Sequence, residues 1–248
     1  MSVTPPFVLV PPSQGKTIGG VTTPGRDVFG AQLASHRCDV VAALSKVLDQ
    51  PEGVARVTGA RGALLDRARR CFEQIVIGDA PLLPTWQRYN GVVWRHLDAA
   101  SIATQRRGRL LVPSALYGIT AGDDVIADNR LTFPARVDGL GRLDDFWRDA
   151  VTDALCAVIG AATLVDLLPR EHRRAIDWTR VTARGPVIEV RFQDAGGARA
   201  AGHGAKAVKG IVAQRLVEDG VDSLGRFAWR DWRCVSFDGV AAIVRRLG

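Results

Sequence analysis

Three of the four lysines in this chain fall in two short glycine-bearing stretches, and these are the residues best suited to chemistry. Of 33 basic residues only Lys16, Lys46, Lys206 and Lys209 are lysine; the others are arginine. Where arginine serves for ordinary positive charge, a retained lysine points to a need for a compact charge or a titratable amine. Lys16 stands in Ser13-Gln14-Gly15-Lys16-Thr17, where hydroxyls, backbone amides and an ammonium could hold an anion. This is not a Walker loop, because the position five before Gly15 must be glycine and is Val10. Lys206 and Lys209 lie three apart in Ala205-Lys206-Ala207-Val208-Lys209-Gly210, on one face at the start of an expected helix. Cations there oppose the helix dipole, so an anionic ligand is expected to offset the repulsion. The three lysines are expected to converge on one site. An amine withdrawn from water beside other cations loses its proton more readily and can act as base or nucleophile. Lys16 and Lys206 are the candidate catalytic residues.

Rigid elements must present those loops. Residues 7–10 are a short apolar, β-branched run that Pro11 and Pro12 close, since neither proline can donate to a ladder. A second buried strand is expected over 109–119, leading into Ser114 and Tyr117, with a polar loop from 121 to 131. Residues 164–168 and 187–192 read as further core strands, with Asp166 inside the first as a buried partner for a cation. Helical spacing appears over 31–49, from about Ala63 onward, and most clearly over 143–159, which has aspartates in its first turn. The 171–174 run, Glu-His-Arg-Arg, reads as a helix surface, and the aromatic tail over 227–237 as an antiparallel hairpin before a last short helix. The pattern predicts an α/β (α+β) fold, one domain over 1–248 with a mixed central sheet flanked by helices.

Composition narrows the function. Net charge is +7 and residues 61–109 hold nine arginines against four acids, which favours acidic partners, nucleic acid first. The turn Thr58-Gly59-Ala60-Arg61-Gly62, within a helical hairpin-like insertion over about 50–78, resembles the phosphate-gripping turn of helix-hairpin-helix proteins. Gly59, Arg61, Gly62, Arg67 and Arg70 are the candidate DNA contacts. Trp86, Tyr89 and Trp94, set among Arg88 and Arg95, could stack bases or close a core edge with snorkelling arginines. Mean hydropathy is +0.04, and no apolar run approaches membrane-spanning length. Neither a secretory signal nor a paired-cysteine motif is visible, so the expectation is a cytoplasmic protein with four reduced thiols and no membrane partner. No nucleophile elbow, zinc-protease helix or dinucleotide fingerprint occurs, and the four histidines are dispersed, so neither cofactor nor metal is expected.

In their order and spacing, VPPSQGKT, RYNGVVW, SALYGI with Asn129-Arg130-Leu131, LDDFWRDAVTDAL, LVDLL and AKAVKG resemble the YaaA family of bacterial peroxide-stress proteins nearly end to end. The resemblance implies an α/β fold with a positively charged cleft and a helix-hairpin-helix-like element. It further implies binding of double-stranded DNA, protection against oxidative damage and limitation of free iron. Carried over position by position, it lines the cleft with Ser13, Lys16, Tyr89, Ser114, Tyr117, Arg130, Trp147, Lys206 and Lys209, beside Thr17 of the first loop. The chain departs from the family pattern at Gln14, over 120–123 and over 202–204, which leaves room for a substrate of its own.

Two functions follow. One is a DNA-binding stress protein. The alternative is an enzyme acting on a small anionic or nucleotide-like substrate, with Arg130 clamping its carboxylate or phosphate.

Overall fold

The structure is a computed structural model, which describes residues 5–247. The chain runs β1 (Phe7–Leu9), α1 (Gly30–Leu48), α2 (Gly53–Thr58), α3 (Ala63–Val76), β2 (Leu82–Pro84), α4 (Thr85–Arg88), α5 (Val92–Leu97) and α6 (Thr104–Arg107). It continues through β3 (Leu110–Ser114), β4 (Gly118–Ala121), β5 (Val125–Ala127), β6 (Arg136–Val137), β7 (Gly141–Arg142) and α7 (Leu143–Ile159). The last part holds β8 (Leu164–Asp166), α8 (Arg170–Arg173), α9 (Trp178–Thr182), β9 (Val187–Gln193), α10 (Gly202–Asp219), β10 (Ala228–Trp229), β11 (Trp232–Phe237) and β12 (Ala241–Arg246).

Eight strands form one mixed sheet, in the order β10-β11-β12-β9-β8-β1-β3-β4, so the fold is α/β in a single domain. Its five inner strands, β12 to β3, are parallel, and antiparallel strands close both edges. Parallel strands need both faces covered, and the side-chain alternation shows how that is met. Leu9, Leu111 and Leu164 pack against α1, α3 and α7, whereas Val8, Val10, Leu110, Val112 and Val165 pack against α5 and α10. The chain leaves β1 for β3 on one side, then returns to β8 on the other. Where connections diverge in this way, the carboxyl ends of the two strands leave a crevice between their loops.

Most expected elements are present, with three changes. The expected polar loop over 121–131 holds β5, paired antiparallel with β2. The 109–119 run is two strands, because the chain reverses between Ser114 and Gly118 to pair β3 with β4. Gly118 has φ of 75°, and a Cβ there would stand 2.8 Å from the Trp147 ring. The expected last short helix is instead β12, parallel to β9. Its six residues alternate, with Ala242 and Val244 buried, and so short a stretch is held by the ladder rather than by helix propensity.

α10 approaches α5 most closely at Gly210, where a Cβ would meet the Val93 carbonyl oxygen at 2.2 Å. Replacing a helix-interior glycine with alanine ordinarily stabilises by about 1 kcal/mol. Here the clash is with backbone, which cannot swing aside. Gly210→Ala is therefore expected to lower the urea midpoint. Gly204→Ala, whose Cβ would lie an ordinary 3.8 Å from Trp232, is expected to leave the midpoint unchanged or raise it. Equal midpoints for the two variants would show that the helices part at little cost.

Candidate functional site

The loops after β1, β3, β8 and β9 surround a cavity of about 1200 Å³ at the carboxyl edge of the parallel strands. Its lining includes Ser13, Lys16, Tyr89, Ser114, Lys206 and Lys209, so the two lysine-bearing stretches of the sequence meet there. Thr17, Tyr117, Arg130 and Trp147 lie outside the lining.

Lys16 is positioned by a loop that is stitched to the segment around Asn90. The Thr17 amide donates to the Arg88 carbonyl at 2.8 Å and the Asn90 amide to the Gly15 carbonyl at 3.2 Å. The Gly91 amide donates to the Ser13 hydroxyl at 3.1 Å. A Cβ on Gly91 would sit 2.6 Å from that of Ser13, so glycine is required for this approach. Beneath the loop, buried Arg88 donates to the carbonyls of Thr17, Pro81 and Ile126, and Trp94 donates to that of Pro11. Trp94 and Tyr89 are buried, while Trp86 lies under the Arg107 guanidinium, 5.0 Å from it. Trp86 and Trp94 close a core edge, and of the three aromatics only Tyr89 reaches the cavity lining.

The Lys16 ammonium donates to the Ser13 carbonyl at 3.1 Å and stands 5.5 Å from the Tyr89 ring centroid. Burial lowers its pKa from 10.5 to about 8, with Arg130 and Arg67 adding to the shift and Asp128 opposing it. Arg130 thus acts on Lys16 from behind the wall, and its Nε is buried without a hydrogen-bond partner. Burial holds the Tyr89 phenol protonated well above the ordinary value, against the opposing hydrogen bond with Ser114.

Lys209 mirrors Lys16 on the opposite wall. Its ammonium donates to the Leu167 carbonyl at 2.6 Å and lies 5.2 Å from the Phe192 ring centroid. Burial lowers its pKa to about 8, with Asp166 opposing and Arg199 assisting. Lys206, one turn earlier, is exposed at the cavity's rim. The buried amine on this helix is therefore Lys209, not the expected Lys206.

Asp166, expected as a buried partner for a cation, is that. Its carboxylate pairs with Arg173 and accepts the Leu168 amide at 2.8 Å, while burial raises its pKa to about 6. α8, expected as an ordinary helix surface, lies across the end of β8 and contributes Arg170, Glu171, His172 and Arg173 to the cavity. His172 is held neutral by burial, which lowers its pKa to about 4, and its Nδ1 has no hydrogen-bond partner. The one available signal for these residues was proximity in sequence to Asp166.

The remaining candidates lie outside the cavity, Trp147 and Tyr117 within the frame. Buried Trp147 donates to the Ala115 carbonyl at 2.9 Å, and the Tyr117 hydroxyl accepts the Ala127 amide at 2.9 Å. Gly59 and Gly62 take positive φ at the α2–α3 turn, where Arg61 and Arg70 are exposed. Arg67 instead turns inward to Asp128, its Nε 2.8 Å from the carboxylate, and to the Lys16 carbonyl at 3.2 Å. Among the described residues no group of three or more histidine, cysteine or acidic side chains is placed to hold a metal, and no helix is long and apolar enough to cross a membrane. The four cysteines are free.

The fold and cavity define an α/β protein with two half-buried lysines at the switch point of a mixed sheet. A sequence model described as peroxide stress protein YaaA matches residues 7–237, and the chain belongs to that family. A UPF0246 protein of Streptomyces coelicolor is 30% identical over 224 residues, which is 86% of this chain and 84% of the relative. A UPF0246 protein of Corynebacterium efficiens is 28% identical over 158 residues, 61% of this chain and 62% of its own. One from Francisella tularensis subsp. novicida is 24% identical over 144 residues, 55% of this chain and 57% of its own.

The depressed amines make stability depend on pH with a definite sign. Between about 8 and 10.5 the unfolded chain binds more protons than the native one, so these groups make stability rise with pH. Lys209→Met removes one such group. Its gain in urea midpoint over the parent is expected to be largest below pH 8 and to shrink by pH 10. A gain that stays constant across that range would show that the amine is not desolvated.

Proposed function

We propose that this chain is a cytoplasmic peroxide-stress protein that binds double-stranded DNA, with the cavity as its cationic cleft. The observation that carries the reading is the charge around the cavity, where eight basic side chains stand against Glu171 and Glu189. A duplex carries closely spaced phosphates, and each one neutralised releases a counterion. Exposed Arg61 and Arg70 beside the glycine turn extend positive charge along the surface and would give a second phosphate contact. Family membership supports the stress role, and the free thiols fit a reducing compartment.

Duplex affinity, measured by fluorescence anisotropy, is expected to fall steeply between low and moderate salt. Lys206→Ala weakens binding to all sequences alike and reduces the salt slope by about one. An affinity indifferent to salt would remove the proposal.

A specific observation favours a second reading, an enzyme acting on a small anionic or nucleotide-like substrate. Lys16 and Lys209 are both withdrawn from water in a cavity of about 1200 Å³. Backbone-tracking phosphate contacts need charge at the surface, as Lys206 supplies it. An amine drawn inward serves a ligand that enters. On this reading Lys209→Ala leaves duplex affinity within about twofold, because a contact absent from the duplex interface contributes little to it. A loss as large as that of Lys206→Ala would merge the two sites into one.

A further inference from the structure

Lys209 is placed unlike a lysine that only supplies charge. Its ammonium makes one hydrogen bond, to the Leu167 carbonyl, and faces the Phe192 ring; none of the ion pairs among the described residues involves it. The nearby carboxylate of Asp166 is already engaged by Arg173. On the same wall His172 carries a buried ring nitrogen with no hydrogen-bond partner, 3.8 Å from the Glu171 carboxylate, and Arg170, Arg191 and Arg199 supply positive charge. A cavity built only to attract anions would keep its amine in water, where the charged form is cheapest. Withdrawing it disfavours the ammonium and leaves a larger share of the neutral amine, the form that attacks carbonyl carbon.

We propose that Lys209 forms an imine with the aldehyde or 2-oxo group of an anionic substrate held by the cavity's arginines, with His172 moving the proton. This rests on the reading of the cavity as a site for a small anionic ligand. The neutral amine attacks the carbonyl carbon, the C–N bond forms, and the electron pair of the C=O bond goes to oxygen. The neutral imidazole accepts one proton from the nitrogen and passes it to that oxygen, giving a neutral carbinolamine. It then carries the second nitrogen proton to the departing hydroxyl. Water leaves as the C=N bond closes, so the step needs no oxidant, reductant or third reactant.

Pyridoxal 5′-phosphate, an aldehyde that carries a phosphate, is a suitable probe. The full chain is incubated with it near pH 8, reduced with borohydride, and mapped by peptide mass spectrometry. With four lysines in the chain, every adduct can be assigned. The reduced adduct is expected on Lys209 at about tenfold the level on exposed Lys206, reflecting the larger neutral fraction of a desolvated amine. Inorganic phosphate is expected to suppress it. Lys209→Arg, which keeps the charge, abolishes that adduct, and Lys206→Arg retains it. His172→Gln slows imine formation, followed by visible absorbance, without weakening phosphate protection. Adducts spread evenly over the lysines, or concentrated on Lys16 or Lys46, overturn the assignment. If phosphate still shields Lys206 in that case, the anion-binding reading stands and the imine alone falls. If phosphate shields nothing, the site reading falls with it.

Discussion

Much of the site depends on one constraint, that β1 is buried on both faces and paired on both edges. Its neighbours β3 and β8 run parallel to it, so none of its backbone groups is free to adjust. Leu9 is fixed on one face, and Val8 and Val10 on the other. A strand so constrained delivers its carboxyl end to one place. The two prolines then end the ladder, and the chain emerges into the crevice left where connections diverge to opposite sides of β1. Ser13 and Lys16 owe their position to this. Leu167, whose carbonyl holds Lys209, emerges beside them because β8 is the other strand at the divergence.

The same arrangement accounts for the electrostatics. The crevice is walled by loops whose backs rest on apolar layers, so polar groups that face it lose much of their water. Carboxylates and amines respond in opposite directions: Asp166 is raised to about 6, and Lys16 and Lys209 are lowered to about 8. Each group is driven toward its neutral form although opposite charge is nearby, which means that desolvation outweighs attraction in this crevice. Lys206 instead stays exposed at the surface. Two lysines three apart on one helix therefore differ in burial, because Gly210 lets α10 settle on α5 and brings the next turn into the wall.

Much of this was legible in the sequence, and the parts that were not have physical reasons. The strand at 7–10, the helix at 143–159 and the convergence of the lysine stretches are all written in local pattern or in residue usage. The strand β12 was not, since six residues with two buried positions fit either a helix turn or a strand until a partner, here β9, is known. α8 was misread for a related reason. A four-residue helix has no periodicity to show which face is covered, and Glu-His-Arg-Arg in isolation is a solvated surface. It becomes cavity wall only because β8 ends beneath it. Tyr117 and Trp147 went the other way. The family resemblance put both in the cleft, whereas in the structure both brace the loops around Ser114 from within the frame.

That bracing shows how the site tolerates its own cost. Two desolvated amines, a raised carboxylate and an unpartnered imidazole each destabilise the fold, and they persist only where the surroundings leave them no alternative. Arg88 supplies three of the restraints through its hydrogen bonds to main-chain carbonyls, and Arg67 adds one from α3. Both are arginines whose charge is spent on structure rather than offered to a ligand. Net positive charge alone is thus a poor guide to where this protein binds. Lysines held away from water are the better one, because packing alone would favour an apolar side chain in their place.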